Sequence, residues 1–201
     1  MRFAGFAILG LLALLLIWAF TGINKIPSQE EVAKATWAQV LNQYQRRADL
    51  VPNLVATVKG AADFEKSTLE AVVQARAKVG TMQLPTDLLT NPDAMRAFET
   101  NQGALTSALS RLMVVAEKYP DLKATAGFQT LQSQLEGTEN RIAVARKDYI
   151  DAVRIYNTEL KTFPGVLWKS FLYSDREPMQ QLQVEPAKQE VPTVDFGTSG
   201  N

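Results

Sequence analysis

The segment FQTLQSQLEGTENRIAVARKDYIDAVRIYN, residues 128–157, decides the fold. Within it Phe128, Leu131, Leu135, Thr138, Ile142, Ala145, Tyr149, Ala152 and Tyr156 recur at alternating spacings of three and four. An α-helix turns once every 3.6 residues, so this rhythm draws one stripe along one face. The intervening Gln, Glu, Lys and Arg suit a face turned to water. The same rhythm holds upstream in Met95, Phe98, Gln102, Leu105, Leu109, Leu112, Ala116 and Tyr119. Pro120 separates these two helices, and Leu109, Leu112, Leu135 and Ile142 are expected in the core.

Further upstream, Ala33, Trp37, Val40, Tyr44, Arg47, Val51, Leu54, Val58, Ala61, Glu65, Thr68, Val72, Ala75 and Val79 continue the pattern. Ser28-x-x-Glu31, just after Pro27, reads as a capping box that opens this stretch. Gly80 ends it, and Pro85, Asn91 and Pro92 fill a loop. Pro52 falls inside the register. A mid-helix proline lacks a donor and clashes with the carbonyl four residues back. The unbroken stripe favours a kink at Pro52, whereas similar segment lengths favour a turn there. The expectation is four helical segments in an all-α, antiparallel, up-and-down four-helix bundle with long helices.

Two charges, Arg47 and Glu65, lie on the otherwise apolar stripe. Either they reach solvent at a bend in the seam, or they form a buried polar network with each other. Glu136 and Glu139 stand three apart beside Arg141 and Arg146, a pattern expected to serve salt bridges rather than acid–base chemistry.

At the N-terminus, FAGFAILGLLALLLIWAFTGI, residues 3–23, carries no charge between Arg2 and Lys25. As a helix it would span about 31 Å, close to the hydrocarbon thickness of a bilayer. A secretory signal peptide is the competing reading. The apolar stretch is long for one, and Trp18-Ala19-Phe20-Thr21 is a poor cleavage site. Trp18 suits an interfacial anchor, and no Cys follows to carry lipid. Residues 1–26 are thus expected to be an uncleaved transmembrane anchor, a contact with the lipid bilayer through residues 3–23. Positive charge at the N-terminus favours an extracytoplasmic soluble domain.

The chain has 201 residues, 21 Lys plus Arg against 21 Asp plus Glu, and neither His nor Cys. The balance leaves no basic footprint for nucleic acid. A zinc site or a His-based triad cannot be built, and no phosphate-binding glycine loop occurs. No catalytic residues, metal or cofactor are expected.

These segments resemble the LemA family. The resemblance is carried by RRADLVPNLVATVKGAADFEKSTLEAVVQARAK at 46–78, LSRLMVVAEKYPDLKA at 109–124, the segment at 128–157, FPG at 163–165 and PTVDF at 192–196. Two positions depart from its pattern, Thr125 and Ile150, where the family tends to have Asn. The resemblance implies a bacterial inner-membrane protein with an N-terminal membrane helix, an antiparallel four-helix bundle and no established enzymatic activity. A related branch takes part in forming magnetosome membranes.

Three regions follow: the anchor at 1–26, a bundle at 27–163, and a tail at 164–201. The tail opens on an aromatic cluster, Val166, Leu167, Trp168, Phe171, Leu172 and Tyr173, that either covers the bundle end or meets a membrane surface or partner. From Asp175 the chain reads as extended linker. In it Val194 and Phe196 form a small apolar island suited to docking on the bundle or a partner. The expected function is a membrane-anchored scaffold or adaptor without catalytic activity and with a membrane-protein partner. The alternative is a membrane-tethered sensor that binds a small ligand between helices.

Overall fold

The computed structural model describes residues 10, 22–60, 65–82 and 84–183. The fold is all-α, with six helices among these residues: α1 Lys25–Lys59, α2 Lys66–Gly80, α3 Pro92–Ala116, α4 Pro120–Lys123, α5 Ala126–Lys161 and α6 Gly165–Phe171. No described helix is long and apolar enough to cross a membrane. The apolar run at 3–23 lies outside the described residues apart from Gly10, Gly22 and Ile23.

Pro52 neither turns nor ends a helix. Helix α1 runs through it for 35 residues, and the break comes only after Gly60. Proline at 52 cannot donate to the carbonyl of Ala48, four residues back. Arg76 of α2 takes that role, its Nε donating to Ala48 O at 3.3 Å. The orphaned acceptor is thus satisfied from the neighbouring helix, which removes much of the penalty that favoured a turn. The first helix is longer than expected, and the second is only 15 residues.

The ends of the helices show where local chemistry rules. Asn91 caps α3, its Oδ1 accepting from the backbone N–H of Asp93 and Ala94, with Pro92 in the first turn. Thr125 caps α5 by accepting from Phe128 N at 3.3 Å. Thr therefore performs the task for which Asn is an equally good cap. Ser28, by contrast, is no cap. The helix starts at Lys25, and Ser28 N already donates to Asn24 O at 3.1 Å. With α1 starting at Lys25 after a turn at Asn24, Pro27 sits in its first turn, whose N–H groups need no intrahelical partner.

Cross-helix pairs fix the directions. Trp37 meets Tyr149 and Arg47 meets Glu139, so α1 and α5 run antiparallel. Trp37 also packs on Phe98, and Arg47 reaches Gln102 and Thr106, so α3 runs parallel to α1. Helix α2 returns between them. The closest packing joins α1 to α5 and α2 to α3, whereas α3 and α5 make few close backbone approaches.

Two apolar clusters fill the interior. One gathers Ile26, Trp37, Tyr44, Phe98, Ile142, Tyr149 and Tyr156. The other gathers Val51, Leu54, Val72, Leu105, Leu109, Leu112 and Leu135. Leu109, Leu112, Leu135 and Ile142 are all buried.

The segment from Asp175 to Gln183 is not free linker. Met179 and Leu182 are buried in the first cluster. Asn157 clasps Met179 twice, through Nδ2 to its carbonyl at 2.8 Å and Oδ1 from its N–H at 2.9 Å. Tyr149 and Tyr156 donate to the carbonyls of Gln180 and Glu177. These side chains supply the hydrogen bonds that an extended chain cannot make for itself.

Candidate functional site, a polar layer and an open cleft

Between the two apolar clusters lies a polar layer centred on Arg47, which is only 1% exposed. Arg47 Nη1 donates to Thr106 Oγ1 at 2.6 Å and to Glu139 Oε1 at 2.9 Å. Nη2 donates to Gln102 Oε1 at 2.7 Å and to its carbonyl at 3.2 Å. One guanidinium thus ties α1, α3 and α5 at one level. Its planar fork of donors suits several acceptors at once. The Tyr44 ring lies 5.1 Å away and adds a cation–π contact. Glu139 is 41% exposed, so the charge that balances Arg47 is half in water.

Arg47 and Glu65 do not form the network expected between them. Glu65 precedes α2 and lies 3.5 Å from Lys118. The apolar stripe runs along the axis of each helix, but α1 and α2 fold back on each other. Residues 47 and 65 are therefore at different heights. The true partners were legible in part. Gln102, the polar member of the α3 stripe, is buried and is one of them, whereas Thr138, the polar member of the α5 stripe, is buried but accepts from Arg141 instead. Glu139 carried no such mark, since it lies off the stripe.

Glu136 and Glu139 are likewise not paired with Arg141 and Arg146. Glu136 accepts from Gln132 at 3.0 Å. Arg141 donates to Gln43 and Thr138. Arg146 donates to Tyr44 Oη at 2.8 Å, to Glu99 at 3.5 Å and to the Gln183 carbonyl at 2.6 Å. Glu139 and Arg146 thus pair across helices, whereas Lys147 and Arg154 pair with Asp151 along α5.

The gap between α3 and α5 forms a cleft of about 550 Å³ lined by Arg47, Glu99, Gln102, Thr106, Glu139 and Arg146, among others. A second hollow of about 630 Å³ continues it past Leu109, Met113 and Leu135. The strap of residues 175–183 runs into this cleft, where the N–H of Gln183 donates to Glu99 at 2.9 Å. Val194 and Phe196 lie outside the described residues. No cluster of three or more metal-ligating side chains occurs among the described residues.

Burial perturbs two hydroxyls next to the strap. Desolvation, with Glu30 nearby, pushes Tyr156 up to about 12. Burial, reinforced by Glu99, raises Tyr149 further. Lys34 is raised through its hydrogen bond to Glu30.

The model of the LemA family matches residues 36–196. The chain belongs to the LemA family. Magnetosome protein MamQ 2 of Paramagnetospirillum magneticum is 37% identical over 62 residues, 31% of this chain and 23% of that protein. Foldase protein PrsA of Clostridium kluyveri is 26% identical over 171 residues, 83% of this chain and 44% of that protein. Protein LemA of Metamycoplasma hominis is 25% identical over 139 residues, 67% of this chain and 57% of that protein. The chain thus spans less than two thirds of each of these relatives. The family match takes in the whole polar layer, the second apolar cluster and all of the first except Ile26 and Ala33.

Proposed function

We propose that this LemA-family protein is a membrane-anchored helical scaffold or adaptor without catalytic activity. Its N-terminal run at 3–23 is the anchor, and its three long helices and the shorter α2 act as one antiparallel up-and-down bundle. The observation that carries the reading is the state of Arg47. This charge, the most deeply buried among the described residues, is committed to Glu139, Gln102 and Thr106 on two other helices. Such a tie sets helix register, and a register device serves a surface that must keep its shape. The similarity to a magnetosome protein supports a place at a membrane. We place the soluble domain outside the cytoplasm of a bacterial inner membrane. Its partner is a membrane protein, engaged in part by Val194 and Phe196. Crosslinking in native membranes, followed by identification of the captured chains, tests this. A recurring membrane-protein partner is expected. Capture of nothing beyond random neighbours would overturn it.

The sensor reading has one observation in its favour, the cleft beside Arg47. It predicts a small polar ligand that raises the melting temperature of the full chain and loses that effect in Glu99→Gln. A screen of amino acids, dicarboxylates and sugar phosphates that moves nothing would count against it.

A further inference from the structure

Large apolar side chains crowd the surface at one end of the molecule. Val166, Leu167, Phe171 and Leu172 are all exposed, Phe171 at 79%, and Phe163 next to them at 68%. Isolated exposed valines such as Val114 and Val144 are ordinary on helices, but a cluster of this kind marks a surface that is covered in use. Leu167 and Phe171 stand four apart on α6, so they share a face. Aromatic residues here were one of two things on sequence grounds, a lid on the bundle or a contact with something else. Trp168 and Tyr173 do pack against the first apolar cluster, while their neighbours do not.

The position of this patch says what covers it. Helix α6 packs on the C-terminal part of α5 and on the start of α1. The Trp168 indole lies directly over Gly22, where an added Cβ would come within 2.7 Å of Nε1. Gly22 belongs to the apolar run at 3–23. The patch therefore sits where that run enters the folded domain. A bilayer holding residues 3–23 has its surface at this level, and an interfacial segment dips about 5–10 Å into the headgroup boundary. Lys25 and Lys161, both exposed, lie on the flanking helices and the half-buried Lys169 on α6 itself, where ammonium groups suit anionic headgroups.

We infer that α6 and its flanks form a lipid-facing foot, which lays Leu167, Phe171 and Leu172 into the bilayer interface beside the anchor. The foot fixes the tilt of the bundle against the membrane, since two points of attachment restrain what a single helix leaves free. The inference rests on the anchor proposed above, and the test separates the two.

The chain has no cysteine, so single cysteines report without background. Leu167→Cys, Phe171→Cys and, as a control on α5, Val144→Cys are labelled with a polarity-sensitive fluorophore. The full chain is reconstituted in phosphatidylethanolamine–phosphatidylglycerol vesicles that carry a nitroxide lipid quencher near the headgroup. The expected result is flotation of all three variants with the vesicles. Emission at 167 and 171 should be blue-shifted and quenched several-fold more than at 144. Flotation with water-like, unquenched emission at 167 and 171 would overturn the foot and leave the anchor standing. Failure to float would overturn both. Shielding at 171 in native membranes but not in vesicles would assign the patch to a protein, and the lipid inference would fall.

Discussion

Two glycines, alike in sequence, have opposite structural roles. A Cβ at Gly165 would collide with the carbonyl oxygen of Glu159, so α6 can fold against α5 only without a side chain there. Gly103 sits within α3, where an added Cβ would meet nothing within 4 Å. Gly165→Ala should therefore lower stability by about 1–3 kcal/mol or more. Gly103→Ala should raise it by about 0.5–1 kcal/mol, because alanine restricts the unfolded chain and favours helix. Urea midpoints of the two variants check both signs. Arg47 offers a second prediction at this scale. Arg47→Met leaves Gln102 and Glu139 without their donor and should cost about 3–5 kcal/mol. The half-exposure of Glu139 places the cost toward the lower figure. A double-mutant cycle with Glu139→Gln should show coupling on the order of 1 kcal/mol. The cycle with Glu65→Gln should be additive, since Glu65 faces Lys118 instead.

At the scale of elements, α1 survives its proline because α2 supplies the missing donor. Arg76→Met should cost about 1–2 kcal/mol by stranding the Ala48 carbonyl. In a Pro52→Ala background, where the backbone N–H at 52 returns, the same change should cost much less. Equal costs in both backgrounds would show that Arg76 does not compensate for the proline. The strap at 175–183 gives a pH test. Tyr156, ordinarily near 10, is pushed up to about 12. A folded value above the unfolded one means that the native state holds the proton more tightly. That contribution is complete below about pH 10 and is lost as pH climbs toward 12. The urea midpoint should accordingly be flat up to pH 10 and fall above it. Tyr156→Phe should flatten the fall, with Tyr149 supplying the remainder. A wild-type midpoint unchanged at pH 11 would contradict the burial of these hydroxyls.

For the molecule as a whole, the proposed reading turns on whether residues 3–23 hold it at a membrane and on which side. In the proposed orientation the positive N-terminus stays in the cytoplasm and the bundle lies outside it. Intact-mass measurement on the membrane fraction should find residues 1–26 still attached. Protease added to spheroplasts should then degrade the bundle. A mature terminus near residue 22 would remove the anchor, and protection until lysis would reverse the orientation.

Periodicity carried the sequence a long way. The 3-4 stripe at 128–157 became one face of α5, and Leu109, Leu112, Leu135 and Ile142 are buried as that stripe requires. The caps at Asn91 and Thr125 are local features that the sequence reading passed over, while the capping box it did read, at Ser28, falls inside a helix that starts earlier. What the chain could not declare were relations between helices. The stripe left Arg47 either reaching solvent or buried with a partner, and the outcome depends on the height at which α5 slides past α1. No period along one helix encodes that offset. For the same reason the sequence left Pro52 between a kink and a turn: the donor that compensates for it lies across a helix hairpin, 28 positions from the carbonyl it serves. The tail read as linker from composition, yet buried Met179 and Leu182 hold its first part in the groove that α3 and α5 leave open. Local repetition determined which residues face inward. Only the tertiary structure decided what they meet there, because register and separation between helices are set by packing the whole chain at once.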